Sequence, residues 1–269
     1  MAADTASDAE LSRDIARKAG ALLLALRDSH GPLTDAASAD RLRDRGDRQS
    51  HELLVEELRV ARPDDAVLSE EGRRDDPTRL DAPRVWIIDP LDGTWEYGQG
   101  RPDFAVHVAL WEGGRVQAAT VDLPAQGLAR TVLDAPAAPA PLPSDRPIRI
   151  VASRTRPPAV LKAAVERLAV LLAEAGITTL GAEIVDVGSV GAKVNELLSG
   201  RAEAYVHDTG FYEWDVAAPY GVAQHYGYVA GHVDGSPVTF NHLPPYVTDL
   251  LVSHPAIADL LARALREAS

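Results

Sequence analysis

The residues best suited to chemistry lie together in Asp89-Pro90-Leu91-Asp92-Gly93-Thr94, directly after the apolar run Val85 to Ile88. Carboxylates that emerge where a strand ends and the chain turns stand where sites are commonly built. Asp89 and Asp92, with the Leu91 carbonyl between them, can set hard oxygen ligands around two adjacent cations, the donor type magnesium prefers. Gly93 lets the backbone approach an anion closely, and the Gly93 and Thr94 amides can point at phosphate oxygens. Taken alone, the same residues also describe a plain turn capping a hairpin. Two other acidic clusters invite the same question. Ser69-Glu70-Glu71-Gly72 follows a short apolar run, and Glu213-Trp214-Asp215 opens an apolar helical stretch at Val216. Each by itself reads equally as a solvated turn or a helix N-cap.

Composition narrows the partners. The chain has 269 residues and a formal net charge of −13, from 27 Lys and Arg against 40 Asp and Glu. Such a surface repels nucleic-acid backbone and anionic membrane, so an anionic substrate needs a cation beside it, and bound metal ions are the simplest source. There is no cysteine, which excludes disulfides, thiolate metal sites and cysteine nucleophiles and leaves oxygen or imidazole as metal donors. The opening residues MAADTASDAELSRD are acidic and polar, unlike a secretory signal, and no apolar run approaches the roughly 20 residues of a membrane span. A cytoplasmic protein without nucleic-acid or membrane partners is expected.

The elements that must position these groups follow from periodicity. Apolar residues at three- and four-residue spacing predict a helix over Ala9 to Leu26, ended by Gly31-Pro32, and a second over Asp47 to Ala61, ended by Arg62-Pro63, with an Arg- and Asp-rich loop between them. Ala66 to Leu68 and Val85 to Ile88 read as buried strands, and Phe104 to Trp111, Arg115 to Asp122 and Gly127 to Leu133 as an antiparallel meander. The proline-rich stretch Ala135 to Pro147 can be neither helix nor strand and is expected as a surface loop between two halves, 1–140 and 141–269, of one compact unit. Beyond it, strand-like Ile148 to Ala152, helical Pro158 to Ala173, strand-like Ile184 to Val187 and helical Val190 to Leu198 alternate, which predicts a partly parallel α/β half. These patterns alone give a mixed α and β fold.

In order and spacing, from about Asp47 to Gly235, these motifs resemble the inositol monophosphatase superfamily of lithium-sensitive, magnesium-dependent phosphatases. The resemblance implies the layered αβαβα sandwich of the inositol monophosphatase and fructose-1,6-bisphosphatase type. It implies that Glu70, Asp89, the Leu91 carbonyl, Asp92 and Asp215 bind two or three Mg2+ ions, that Li+ inhibits, and that Thr94, paired with Asp47 at the start of the second helix, positions the attacking water, with Glu70 also serving catalysis. Four such carboxylates about 4 Å apart repel by several kcal/mol per pair at an effective dielectric near 20, which cations relieve. Two ions roughly 4 Å apart also suit a metal-activated water and in-line displacement at phosphorus, where positioning and charge neutralisation matter more than a covalent nucleophile. Gly46 stands where the superfamily usually has threonine, which leaves Asp47 open to a second reading as an N-cap.

Within the superfamily the chain looks closest to the bacterial CysQ branch of 3'(2'),5'-bisphosphate nucleotidases, especially actinobacterial members. Glu96 two residues after DGT, Glu213 in EWD and Lys193 seven residues before Gly200 carry that likeness. It implies hydrolysis of the 3'-phosphate of adenosine 3',5'-bisphosphate to AMP, with Gly93, Thr94, Arg156, Ser189, Lys193 and His207 binding substrate and a homodimer as one possible assembly. Departures fall in the pocket: Arg156 replaces the histidine of Ser-Arg-Ser-His, His207 replaces the arginine of Tyr-Pro-Arg, and Ser189 is one residue further from the lysine. An exchange of roles between Arg156 and His207, one permanent cation and one titratable group near the distal phosphate, is one way to read this. Inositol-1-phosphate, fructose-1,6-bisphosphate or another phosphorylated nucleoside are alternative substrates, and an inactive binding protein on the same fold is the alternative of another class. His51, His107, His225 and His232 lack metal-ligand spacing and are expected as core or surface residues.

Overall fold

The computed structural model describes residues 6–31, 35–72, 76–135 and 138–268. Helix α1 (Asp8–His30) starts at Ser7, whose hydroxyl accepts the Glu10 amide at 3.2 Å while the Glu10 carboxylate accepts the Ser7 amide at 2.9 Å, a reciprocal cap. It ends at Gly31 as expected, and Pro32 lies outside the described residues. Helix α2 (Ala36–Ala61) corrects the sequence reading. The Arg- and Asp-rich stretch expected as a loop is helical from Ala36, capped by the Asp35 carboxylate on the Ser38 amide at 2.7 Å. Asp47 therefore lies in mid-helix and caps nothing.

A first sheet runs in the order β1 (Ala66–Ser69), β2 (Arg84–Asp92), β3 (Ala105–Glu112), β4 (Arg115–Leu123), β5 (Leu128–Thr131). β1 and β2 are parallel and the remaining pairs are antiparallel, which is the expected meander. The short helix α3 (Thr94–Gly98) follows β2. Residues 138–147 carry no helix or strand. A second sheet has the order β10 (Val229–Gly231), β12 (Leu250–Ser253), β8 (Ala204–His207), β6 (Ile148–Ser153), β7 (Ala182–Val187), with β6 parallel to both β7 and β8. β9 (Phe211–Tyr212) and β11 (Tyr246–Val247) form a small antiparallel ribbon. The remaining helices are α4 (Leu161–Glu174), α5 (Val190–Leu198), α6 (Glu213–His225) and α7 (Ala258–Ala268).

Side-chain alternation along the buried strands sets the layers. On β2 and β3, Trp86, Ile88, Val106, Val108 and Leu110 face α1 and α2 and join Ile15, Leu23, Leu42 and Leu54 in one core. Val85, Ile87, Ala105 and Ala109 face the other way, into a core shared with α5, α6, Val151 and Tyr205. On the far side of the second sheet, Ile150, Ala204 and Val206 pack with Leu168, Leu172 and Leu261 of α4 and α7. The result is the expected αβαβα sandwich: α1 and α2, first sheet, α5 and α6, second sheet, α4 and α7. Among the described residues no helix is long and apolar enough to cross a membrane.

Candidate active site

The parallel pairing of β1 with β2 brings Glu70 beside the end of β2, where its amide donates to the Ile88 carbonyl at 3.4 Å. The β2–β3 register then shifts between Asp89 and Asp92, a bulge of the kind that re-aims side chains next to functional sites. Asp89 and Asp92 are buried, at 1% and 6% exposure, and the Leu91 amide donates to Asp89 Oδ1 at 2.9 Å. Asp215 comes from the middle layer. It sits in the first turn of α6, which begins at Glu213 and not at Val216, and its Oδ2 accepts the Tyr212 amide at 2.8 Å. One carboxylate oxygen from each of Asp89, Asp92 and Asp215 falls within 4.8 Å of the others. Glu70 is exposed beside this group, close enough for its charge to act on Asp89.

The electrostatics show what the cluster is short of. Burial, then Glu70, Asp92 and Asp215, push the Asp89 carboxyl well above its usual range. Burial and the Asp215 charge raise Glu70 to about 7, and burial with Asp92 raises Asp215 to about 6. Burial also works against ionised Asp92, but the His107 ring and the Gly191 amide outweigh it and hold that carboxyl below its ordinary value. An all-oxygen donor set whose charges repel one another in a buried place fits a hard divalent cation such as Mg2+.

Thr94 opens α3, and its hydroxyl lies 3.0 Å from the Leu91 carbonyl oxygen and 3.5 Å from Asp47 Oδ1. α2 is held against this turn by Ser50, whose hydroxyl donates to the Pro90 carbonyl at 2.7 Å. Gly46, next to Asp47, permits the close approach, since a Cβ there would stand 2.9 Å from Tyr97 Cε1. Burial, then Glu71 and Glu70, raise the Asp47 carboxyl to about 8. Asp47 also borders a second cleft with Asp44, Arg48, His51, Glu52 and Glu71.

A cavity of about 250 Å³ opens from Asp92 and Asp215, and all six residues expected to bind substrate line it: Gly93, Thr94, Arg156, Ser189, Lys193 and His207. Gly93 has φ +87°, and a Cβ on it would lie 3.0 Å from Ser189 Cβ, so glycine is what lets the turn meet the start of α5. Ser189 caps α5, accepting the Ala192 amide at 2.9 Å. Lys193 is buried, donates to the Gly188 carbonyl, and is lowered to about 8 by burial. Arg156 is exposed at the rim.

His207 differs from the role considered for it. Burial pushes its pKa down to about 4, Nε2 faces the Gly210 carbonyl at 3.1 Å, and the ring stacks on Phe211 at 4.2 Å. Without substrate this environment favours the neutral ring.

Two residues read as substrate pointers serve different neighbours. Glu213 is fully buried and accepts the Asn241 and His242 amides, both at 2.7 Å, which pins the 241–245 loop. Glu96 lines the cavity but is paired with Arg154 at 2.9 Å, and Arg154 also reaches Asp103 at 3.0 Å. The sequence reading missed Arg154 and the exposed Trp95, which both line the cavity, and the contact of His107 with Asp92 at 3.2 Å. Only His107 left a trace: it is the one ionisable side chain in the apolar run Phe104 to Trp111.

Known proteins are similar to this chain in sequence and in shape. The model of the inositol monophosphatase family matches residues 4–269. The 3'-phosphoadenosine 5'-phosphate phosphatase of Mycobacterium leprae (strain TN) is 42% identical over 274 residues, covering 97% of this chain and 94% of that protein. In shape the chain is similar to the inositol monophosphatase from Zymomonas mobilis, with a TM-score of 0.74 at 19% identity over 96% of this chain and 97% of that one. CysQ from Bacteroides thetaiotaomicron gives 0.71 at 24% identity over 91% and 96%. By the family match along nearly its whole length, and by this identity to a relative of the same extent, the protein belongs to the inositol monophosphatase family.

Proposed function

We propose that this protein is a magnesium-dependent phosphomonoesterase that hydrolyses the 3'-phosphate of adenosine 3',5'-bisphosphate to AMP and inorganic phosphate. One observation carries the reaction: the buried Asp92 and the half-buried Asp215 line the same cavity as Lys193 and Arg156. The similarity along 97% of the chain to a 3'-phosphoadenosine 5'-phosphate phosphatase supports the substrate.

Glu70, Asp89, the Leu91 carbonyl, Asp92 and Asp215 would hold two or three Mg2+ ions. When bound, these ions supply charge neutralisation for in-line displacement at phosphorus. The chain's own groups do the positioning. The Gly93 and Thr94 amides receive phosphoryl oxygens, and the Ser189 hydroxyl, which accepts the Ala192 amide, donates to another. Thr94 and Asp47 hold the attacking water, with the Asp47 carboxylate taking up its proton. Lys193 adds positive charge at the inner wall, and Arg156 at the rim meets the second phosphate while His207 presents a neutral ring.

The proposal includes inhibition by Li+, a cytoplasmic enzyme able to form a homodimer, and halves 1–140 and 141–269 meeting at the site. The first sheet ends at Thr131 and the second starts at Ile148, which supports that division.

The rim charge gives a direct test. Arg156→Ala should raise KM for adenosine 3',5'-bisphosphate by about 10-fold or more, the worth of a charge-assisted hydrogen bond, and leave KM for a 3'-monophosphate within a few-fold. Equal effects on both esters reject the assignment of Arg156. Steady-state phosphate release over the bisphosphate, inositol-1-phosphate and fructose-1,6-bisphosphate tests the substrate itself, and a higher kcat/KM for inositol-1-phosphate overturns it.

A further inference from the structure

We propose that His107 is a positioning residue that ties Asp92 to the first turn of α6 and so sets the geometry in which the cluster binds Mg2+. The inference rests on the reading of Asp92 as a metal ligand.

His107 lies on β3 directly opposite Asp89 and is fully buried on the side facing α5 and α6. Its Nε2 is at an ion-pair distance of 3.2 Å from Asp92 Oδ2 without forming a hydrogen bond, and its Nδ1 is 3.4 Å from the Trp214 carbonyl oxygen. The same Asp92 oxygen accepts the Gly191 amide at 2.9 Å. One ring thus touches the turn that carries Asp92 and the residue before Asp215, and a Cβ on Gly191 would stand 2.5 Å from Nε2. A carboxylate whose Oδ2 accepts the Gly191 amide and is faced by the His107 ring has its other oxygen directed by those two contacts, as outer partners orient metal-ligating groups in general.

The tie at Trp214 also has a local reason. α6 contains Pro219, which has no N–H to return to the Asp215 carbonyl four residues earlier, so the turn carrying Asp215 lacks one of its closing bonds. A buried ring braced between Asp92 and Trp214 holds two cluster carboxylates, from the first sheet and the middle layer, at a fixed separation. An apolar residue at 107 would pack as well against Val121 and Ala105 but hold neither.

The test reads metal binding separately from turnover. His107→Leu is expected to fold, by circular dichroism and a cooperative melt, yet to bind Mg2+ about 10- to 100-fold more weakly in calorimetric titration of the metal-free protein. KM for substrate at saturating Mg2+ should stay within a few-fold of wild type. His107→Asn, which keeps one donor, should recover part of the affinity. Should His107→Leu not fold, the smaller, strand-favouring His107→Val carries the same reading. A folded apolar variant with wild-type Mg2+ affinity, even with a lowered Tm, makes His107 merely structural and overturns the proposal. Asp92→Asn run alongside separates the two claims: unchanged Mg2+ affinity there removes Asp92 as a ligand, whereas lost affinity there with retained affinity in His107→Leu removes only His107.

Discussion

Replacing Asp89 by Asn is expected to lower kcat/KM by a factor on the order of 10^3 or more, because it removes a central anionic donor from the cluster. The same variant should make the metal-free protein less sensitive to rising pH. Asp89, Glu70 and Asp215 all have carboxyls raised in the folded state, by burial first and then by a neighbouring carboxylate: Glu70 for Asp89, Asp215 for Glu70 and Asp92 for Asp215. A raised carboxyl favours folding fully below its unfolded value and loses that contribution as pH climbs through its folded value. The window therefore runs from about 4, the ordinary carboxylate value, up to the folded values of about 6 for Asp215 and about 7 for Glu70. The metal-free wild type should lose stability across it. Asn at 89 removes one raised carboxyl, so its own contribution to the loss disappears. Thermal melts in chelator at pH 5 and pH 8 read this directly. Parallel curves for variant and wild type would mean that the Asp89 carboxyl is not raised as its burial and neighbours imply. Added Mg2+ should restore more stability at pH 8 than at pH 5 in the wild type, since it binds the ionised cluster.

Asp47→Asn has the second large expected effect, and on a different parameter. Asp47 lies 3.5 Å from the Thr94 hydroxyl but is not among the residues lining the substrate cavity. Loss of its basicity should lower kcat by about 10^2- to 10^4-fold, the usual worth of a positioned general base, with KM within a few-fold. Mg2+ affinity should change little. A KM rise with kcat intact would move Asp47 from water positioning to substrate binding.

The site was more legible than its supports. The Asp89 to Thr94 motif, the meander behind it and helix α5 follow patterns in which a strand alternates or a helix repeats with clear apolar contrast. The first half of α2 does not. Its buried stripe is Ser38, Ala39, Leu42, Gly46 and Ser50 before it reaches Leu54 and Leu58. That spacing is helical, but serine and glycine stand where leucine would mark it, because small residues let α2 approach Tyr97 and the Pro90 turn. Hidden with it was the place of Asp47 in mid-helix. The surroundings of His207 are hidden for a related reason: its type suggests titration near neutrality, while burial and stacking on Phe211 favour the neutral ring. The contact between His107 and Asp92 crosses from one strand to the turn after another and depends on the β2–β3 register, which no local pattern states. Glu213 shows the reverse case, a residue whose place in EWD suggested substrate but whose carboxylate holds the 241–245 loop.

The most direct measurement is product analysis, by chromatography or phosphorus NMR, after incubating the protein with adenosine 3',5'-bisphosphate in Mg2+ and in chelator. The proposed function predicts AMP and one equivalent of inorganic phosphate with Mg2+ and no turnover without it. Release of the 5'-phosphate, undiminished turnover in chelator, or no phosphate release with Mg2+ would contradict it.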